Sequence, residues 1–203
     1  CRWRYEVRAL NATNGRSEWL PVEEDDRGTY IFNSKDLNML ARLQALEDAG
    51  VCSFKIEGRM KSGYYLATVI NAYRRAMDGQ PLSVSERELL SVAHREYTQA
   101  YAFGENHETV NYQDSQSRGD YVYIADVLGT EKGFVKVEMR NRFRRGDVLE
   151  VLSPDGNFAK SFVAEEMYDS LGERTDDAKR VQEIYKIRCP YELCAGDYLR
   201  RKV

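Results

Sequence analysis

"VCSFKIEGRMKSGYYLATVINAYRRAM", residues 51–77, changes texture within one short span. Val51 to Ile56 is an apolar-rich run that reads as a strand. From Ser62 the pattern is different. Leu66, Val69, Ile70 and Tyr73 recur at i, i+3, i+4 and i+7, one face of a helix that Ser62 can cap. Between them lies Ile56-Glu57-Gly58-Arg59, a tetrapeptide also used as an inserted cleavage linker. No Gly/Ser spacer or tag flanks it here, so it reads as native.

The same order occurs upstream. "GTYIF" (28–32) reads as a strand, and "NSKD" (33–36) as a helix start, with Asn33 or Ser34 as cap and Asp36 suited to the positive helix end. Leu37, Leu40, Leu43 and Leu46 step along that helix, and Gly50 stops it. Gly79 and Pro81 end the helix after Ser62. "SVSE" (83–86) is a capping box before a third helix that reaches about His94. Strand, helix, strand, helix with short connections implies a parallel sheet. Two such units cannot close a barrel, so the region reads as part of a larger α/β domain.

From about Gly119 the runs are short and β-rich: "YVYIADVL", "FVKVEM", "DVLEVL", "FAKSFV" and "VQEIYKIR". Turn signals separate them: "GTEKG", "RRGD", "SPDG" and "LGER". Asp155-Gly156 marks a hairpin. Five or six such strands suggest a small antiparallel barrel. The predicted organisation is a partial α/β region with following helices over 1–103, a polar linker over 104–118 and an all-β barrel over 119–203.

Of 203 residues, 42% are hydrophobic and 31% charged, a soluble globular mix. No apolar run approaches the ~18 residues of a membrane span. The net charge of −3 argues against a strongly basic nucleic-acid binder but allows a local patch. The chain starts at Cys1, with no signal-peptide pattern after it, and is expected to be a piece of a longer protein with the missing N-terminal half as its partner. Cys1, Cys52, Cys189 and Cys194 form no CxxC pair. Cys189 and Cys194 read as independent thiols in a reducing cytoplasm, and Cys52 as a small buried hydrophobe. A cytoplasmic location follows, and no cofactor is expected in this chain alone.

In a parallel α/β sheet, chemistry collects at the carboxyl ends of strands. Lys55, Glu57 and Arg59 lie at or just past such an end, on one side of an extended chain. Gly58 between them permits a close approach. Lys35 and Asp36 hold the matching place after the first strand. Together they are the candidate catalytic rim, with a cation to hold an anion and Glu57 to orient it or act as a base. The alternative is a set of ion pairs tying loops to helix caps. A second candidate is "RNRFRR", where Arg140, Arg142, Arg144 and Arg145 surround Phe143, as RNA phosphates and splayed bases require. Its alternative is a solvated turn. Hydrolysis finds little support. The two histidines, His94 and His107, form no metal pair, and Ser34 and Ser53 have no evident base. His94 reads as structural, near a helix end.

Several blocks are specific: "CRWRY", "PVEEDDRGTYIFNSKDL", "AGVCSFKIEGRMKSGYY", "ATVINAYRRAMD", "HREYTQAY", "YIADVLG", "RNRFRRGDVLEVLSPDG" and "GDYLRR". They resemble the C-terminal part of the peptidase U-32 family, the collagenase-like proteins, over nearly the whole chain. The resemblance implies the last strands of an N-terminal TIM-like barrel, then a small β-barrel of the translation-factor type. It also implies action in hydroxylation of the tRNA wobble uridine, of ribosomal RNA or of ubiquinone precursors. Members of that kind carry cysteines thought to hold an iron–sulfur cluster. Cys1 would be one such ligand in the full-length protein, while Asn38 stands where another cysteine is often found. The expected function is RNA modification, most specifically tRNA wobble-uridine hydroxylation, with the β-barrel as an RNA-binding accessory domain. The alternatives are a collagenase-like protease, the family's traditional label, and a binding module without activity.

Overall fold

The computed structural model describes residues 7–10, 15, 17–20, 23–25, 28–30, 34–104 and 119–203. It divides into two compact units, Cys1–Met39 with His94–Ser117, and Leu40–Ala93 with Arg118–Val203.

In the first unit, β1 (Val7–Leu10) pairs antiparallel with β2 (Ser17–Leu20), and β3 (Glu23–Asp25) with β4 (Gly28–Tyr30). β5 (Asp36–Leu37) pairs in parallel with β6 (Tyr97–Thr98). The strand expected over 28–32 is therefore present at Gly28–Tyr30, but it pairs with the segment just before it and runs antiparallel. Asp36 and Leu37, expected in a helix, are held extended. Asp36 N–H donates to the Glu96 carbonyl and Asn38 N–H to the Thr98 carbonyl, both at 2.8 Å. Helical structure starts later, with a 3-10 turn at Leu40–Arg42 and then α1 (Leu43–Asp48) in the second unit. Ser34 thus caps no helix, and Asn33 lies outside the described residues.

In the second unit, Val51 to Ile56 forms no strand among the described residues. Val51 and Cys52 are exposed, and Phe54 and Ile56 only half-buried, so Cys52 is not the core residue expected. A ladder needs a neighbour, and this run has none among the described residues. The close approach expected at Gly58 does occur, but to the chain's own helix. A Cβ there would lie 2.0 Å from Leu66 Cδ2. The parallel βα repeat is accordingly not formed in the described residues.

The helix after Ser62 follows the sequence. α2 (Gly63–Met77) has Ser62 as its cap, with Oγ accepting from Tyr65 N–H at 3.1 Å. It buries Tyr64, Thr68, Val69 and Ala72. α3 (Leu82–Ser91) starts one residue before "SVSE", with Pro81 at the cap position and no side-chain cap bond. It ends at Ser91, short of His94.

The C-terminal region contains β7 (Tyr121–Glu131), β8 (Phe134–Met139), β9 (Phe143–Arg144), β10 (Val148–Leu152), β11 (Ser161–Val163), β12 (Met167–Tyr168), β13 (Asp177–Ala178), β14 (Ile184–Arg188) and β15 (Tyr198–Lys202). Seven of them form one curled antiparallel sheet, ordered β11-β10-β15-β7-β8-β14-β12, and β9 pairs with β13. Ile124 and Leu128 are the extra residues of two bulges on β7, which bend the longest strand. Alternation along β8 and β14 sends Val135, Val137, Met139, Tyr185 and Ile187 into the core. The tight hairpin is β7–β8, where Lys132 and Gly133 both have positive φ, as a two-residue turn demands. Asp155-Gly156 instead lies within an eight-residue connection from β10 to β11, residues 153–160. There the Asp155 carboxylate accepts from Asn157 N–H and Ser153 Oγ–H.

α2 and α3 pack on this sheet through specific contacts. Tyr64 stacks on Tyr123 with centroids 4.9 Å apart and meets Tyr198 edge-on. The Arg75 guanidinium lies 3.7 Å over the Phe158 ring and donates to the Ser153 carbonyl. Arg200 of β15 is 2% exposed. It donates two hydrogen bonds of 2.7 Å to Glu88 of α3, one of 3.0 Å to Ser91 Oγ, and others of 2.6 and 3.0 Å to Glu150 of β10. Its guanidinium also lies over the Tyr121 ring. Burial disfavours the charge, but the Glu88 and Glu150 carboxylates outweigh it and raise the pKa well above the ordinary value.

Two substitutions test this packing. Arg200→Met leaves Glu88 buried and unpaired, and is expected to cost about 3–5 kcal/mol in urea unfolding. Arg200→Met combined with Glu88→Leu should recover most of that loss. At Gly119, a Cβ would lie 2.6 Å from Ala93 N and Val92 C, both backbone atoms that cannot step aside. Gly119→Ala should cost about 1–3 kcal/mol. Gly156→Ala, which meets open space, should cost far less.

Candidate functional site

Lys55, Glu57 and Arg59 sit on the irregular stretch before α2, and all three are exposed. Lys55 Nζ and a Glu57 carboxylate oxygen are 2.8 Å apart, with the side chains 84% and 75% exposed. The Glu57 carboxylate raises the Lys55 pKa through that hydrogen bond. Among the described residues no strand holds these groups in place. Their reach is set by the Gly58–Leu66 contact and the Ser62 cap. The segment therefore offers a carboxylate and two cations to solvent, able to meet an anionic or polar ligand.

Lys35 and Asp36 belong to the other unit, where each is already engaged. Asp36 accepts from Arg95 Nε–H and Nη2–H, at 3.0 and 2.7 Å, and from Arg95 backbone N–H. Lys35 Nζ is 3.0 Å from Glu96. These bonds bind β5 to the segment entering β6. Beside them, the His94 ring stacks on Tyr97 at 4.1 Å and its Nδ1–H donates to the Arg95 carbonyl, so His94 is a packing residue. His107 lies outside the described residues.

In the "RNRFRR" turn, Phe143 is 0% exposed and packs edge-on against Tyr185 in the core. Its ring cannot stack on a base. The four flanking arginines point outward and each faces a carboxylate. Arg140 reaches Asp126 at 2.6 Å and Glu138 at 2.9 Å. Arg142 makes a two-pronged contact with Asp177, whose carboxyl it holds below the usual range. Arg144 is 4.0 Å from the same Asp177, and Arg145 is 3.7 Å from Asp176. Four arginines thus face four carboxylates. The sequence hid this because the partners lie as many as 35 positions away.

The described cysteines do not converge. Cys52 and Cys194 are exposed, while Cys189 is buried, and burial raises its thiol pKa. Among the described residues no group of three or more His, Cys, Asp or Glu could hold a metal, and Asn38 offers no thiolate. These residues do not fit an iron–sulfur cluster. Cys1 lies outside them. No described helix is long and apolar enough to cross a membrane.

The family model for peptidase family U32 matches residues 1–112, and that for the U32 C-terminal domain matches residues 119–200. The chain belongs to peptidase family U32. It is 39% identical over 164 residues to tRNA hydroxylation protein P of Escherichia coli (strain K12), covering 77% of this chain and 36% of that protein. It is 30% identical over 92 residues to a collagenase of Porphyromonas gingivalis, covering 41% of this chain and 26% of that protein. Among solved structures it is similar to the C-terminal domain of a Geobacillus thermoleovorans protein described as a U32 peptidase. That similarity is 31% in identity, covers 40% of this chain and 99% of that one, and has a TM-score of 0.37. The chain spans roughly a third of the length of the E. coli relative.

Exposure makes Glu57 a clean probe. Glu57→Gln in the full-length protein keeps the shape and removes the charge. The expected result is loss of activity with an unchanged melting temperature. Full activity with a lower melting temperature would make the Lys55–Glu57 pair structural.

Proposed function

We propose that the chain is the C-terminal part of a protein that acts in tRNA modification, the hydroxylation of the wobble uridine. The observation that carries this reading is the similarity to tRNA hydroxylation protein P over most of the chain. The similarity to a collagenase is lower and shorter. In this reading, residues 1–103 belong to the catalytic α/β domain, a TIM-like barrel completed by the rest of the protein. Residues 104–118 link it to an accessory β-barrel at 119–203, which contacts RNA. Lys55, Glu57 and Arg59 hold the substrate, while Lys35 and Asp36, bonded to Glu96 and Arg95, tie β5 to the segment entering β6. Cys1 serves as a cluster ligand only within the whole protein, and the protein works in the cytoplasm.

The test is mass spectrometry of tRNA nucleosides from a strain lacking the full-length gene. The hydroxylated wobble uridine should disappear and return on complementation. An unchanged nucleoside profile would overturn the reading and leave proteolysis or passive binding.

A further inference from the structure

The outer face of β8, β14 and β12 carries charge that the fold does not balance. Lys136 and Lys186 are directly opposite each other in the β8–β14 pairing, and Tyr168 is opposite Lys186 in the next pairing. All three are on the outward side, with both lysines exposed. Arg174 bridges to Tyr168 from the far side, and Gly129 stands beside Lys136 on β7 and adds no side chain. Two residues along, on the same face, Arg188 is opposite Phe134, with its guanidinium 5.2 Å from the ring centroid, and the Phe134 ring meets Tyr168 edge-on at 5.8 Å.

Like charges directly opposite each other in a sheet are destabilising. Carboxylates are close by, yet none takes up this charge. Glu138 pairs with Arg140, Glu166 accepts from Tyr168 Oη–H, and Glu183 accepts from Ser170 and Tyr185. Exposed Glu131 lies 3.9 Å from Lys132. No ion pair to Lys136, Lys186, Arg174 or Arg188 is present among the described residues. The arrangement is opposite to that of the Arg140–Arg145 turn, where every cation has a partner.

We infer that this face, Lys136, Lys186, Arg174 and Arg188 around the rings of Tyr168 and Phe134, is the RNA-contacting surface of the chain. It rests on the RNA-modification reading and supplies its docking residues. The occupant is single-stranded or loop RNA. Cations at strand spacing, about 5 Å apart, track a phosphate backbone, and the partly exposed rings of Phe134 and Tyr168 beside them offer apolar contact to an unstacked base. An acidic polypeptide could use the cations but gains nothing from the rings.

The experiment measures binding of an unmodified tRNA transcript to the full-length protein across a salt series, with poly-glutamate as competitor. Lys136→Glu creates an opposite-charge pair with Lys186. The expected result is a higher melting temperature together with weaker tRNA binding. Lys136→Ala with Lys186→Ala should make the log–log salt slope shallower by about 1.4, the loss of two single-strand phosphate contacts. Arg142→Ala with Arg144→Ala should change the slope much less. The inference is overturned if wild-type protein binds tRNA and the lysine variants bind it equally, or if the arginine variant alone loses the slope. It is also overturned if poly-glutamate displaces tRNA at equal charge concentration. Loss of tRNA binding by the lysine variants with an unchanged nucleoside profile in the gene deletion would uphold this surface and sink the modification reading.

Discussion

Arg200 is the group on which the second unit depends. A guanidinium is not deprotonated in a protein, so burying it obliges the structure to surround it with acceptors. Here the acceptors come from separate elements: Glu88 and Ser91 of α3, and Glu150 of the neighbouring strand β10. A planar fork that must meet two carboxylates leaves little freedom in how α3 lies on the sheet. A buried ion network of this kind adds little net stability over a well-packed apolar cluster. What it adds is a single docking register, because any sliding of the helix would strand a charge.

That register passes to α2. α2 and α3 pack together, and Tyr64 of α2 stacks on Tyr123 while Arg75 reaches the β10–β11 connection. Burial raises the Tyr64 hydroxyl pKa, and the nearby Arg200 charge only partly offsets this. The helix so fixed then sets the stretch ahead of it, through the Ser62 cap and the Gly58–Leu66 contact. The exposed Lys55–Glu57 pair is thus anchored by packing at its C-terminal side rather than by a strand of its own.

The features legible in the sequence were those that depend on near neighbours. Ser62 as a cap, the 3.6-residue period of α2 and the alternation of β8 and β14 all involve residues a few positions apart. The failures involve distant partners. Val51 to Ile56 has strand composition, but a strand requires a neighbour, and composition does not supply one. Asp36 looked like a helix-start carboxylate because its actual partner, Arg95, is 59 positions away. Phe143 looked like a surface aromatic because arginines flank it, yet strand alternation turns it inward. Asp155-Gly156 had the residues of a tight turn, but the two-residue turn formed at Lys132-Gly133. The Lys136–Lys186 pairing was hidden for the same reason as the Arg200–Glu88 pair. Both are facts of register, set only when strands and helices 50 or more positions apart are brought together.

The two basic regions of the C-terminal sheet differ in what a phosphate would have to displace. For Arg142 to take a phosphate it must first give up a two-pronged carboxylate partner, so the new contact replaces an equivalent one and the net gain is small. Releasing Arg142 would also leave Asp177 facing the incoming anion. Among the described residues Lys136 and Lys186 have no such partner, and their mutual repulsion is a cost carried by the free protein. An anion between them relieves that cost and adds its own attraction. In a chain whose net charge is −3, long-range attraction to nucleic acid is weak, so recognition depends on where positive charge is left unpaired. A count of arginines in the sequence registers cations without their partners. The register of β8 against β14 shows where the uncompensated charge lies.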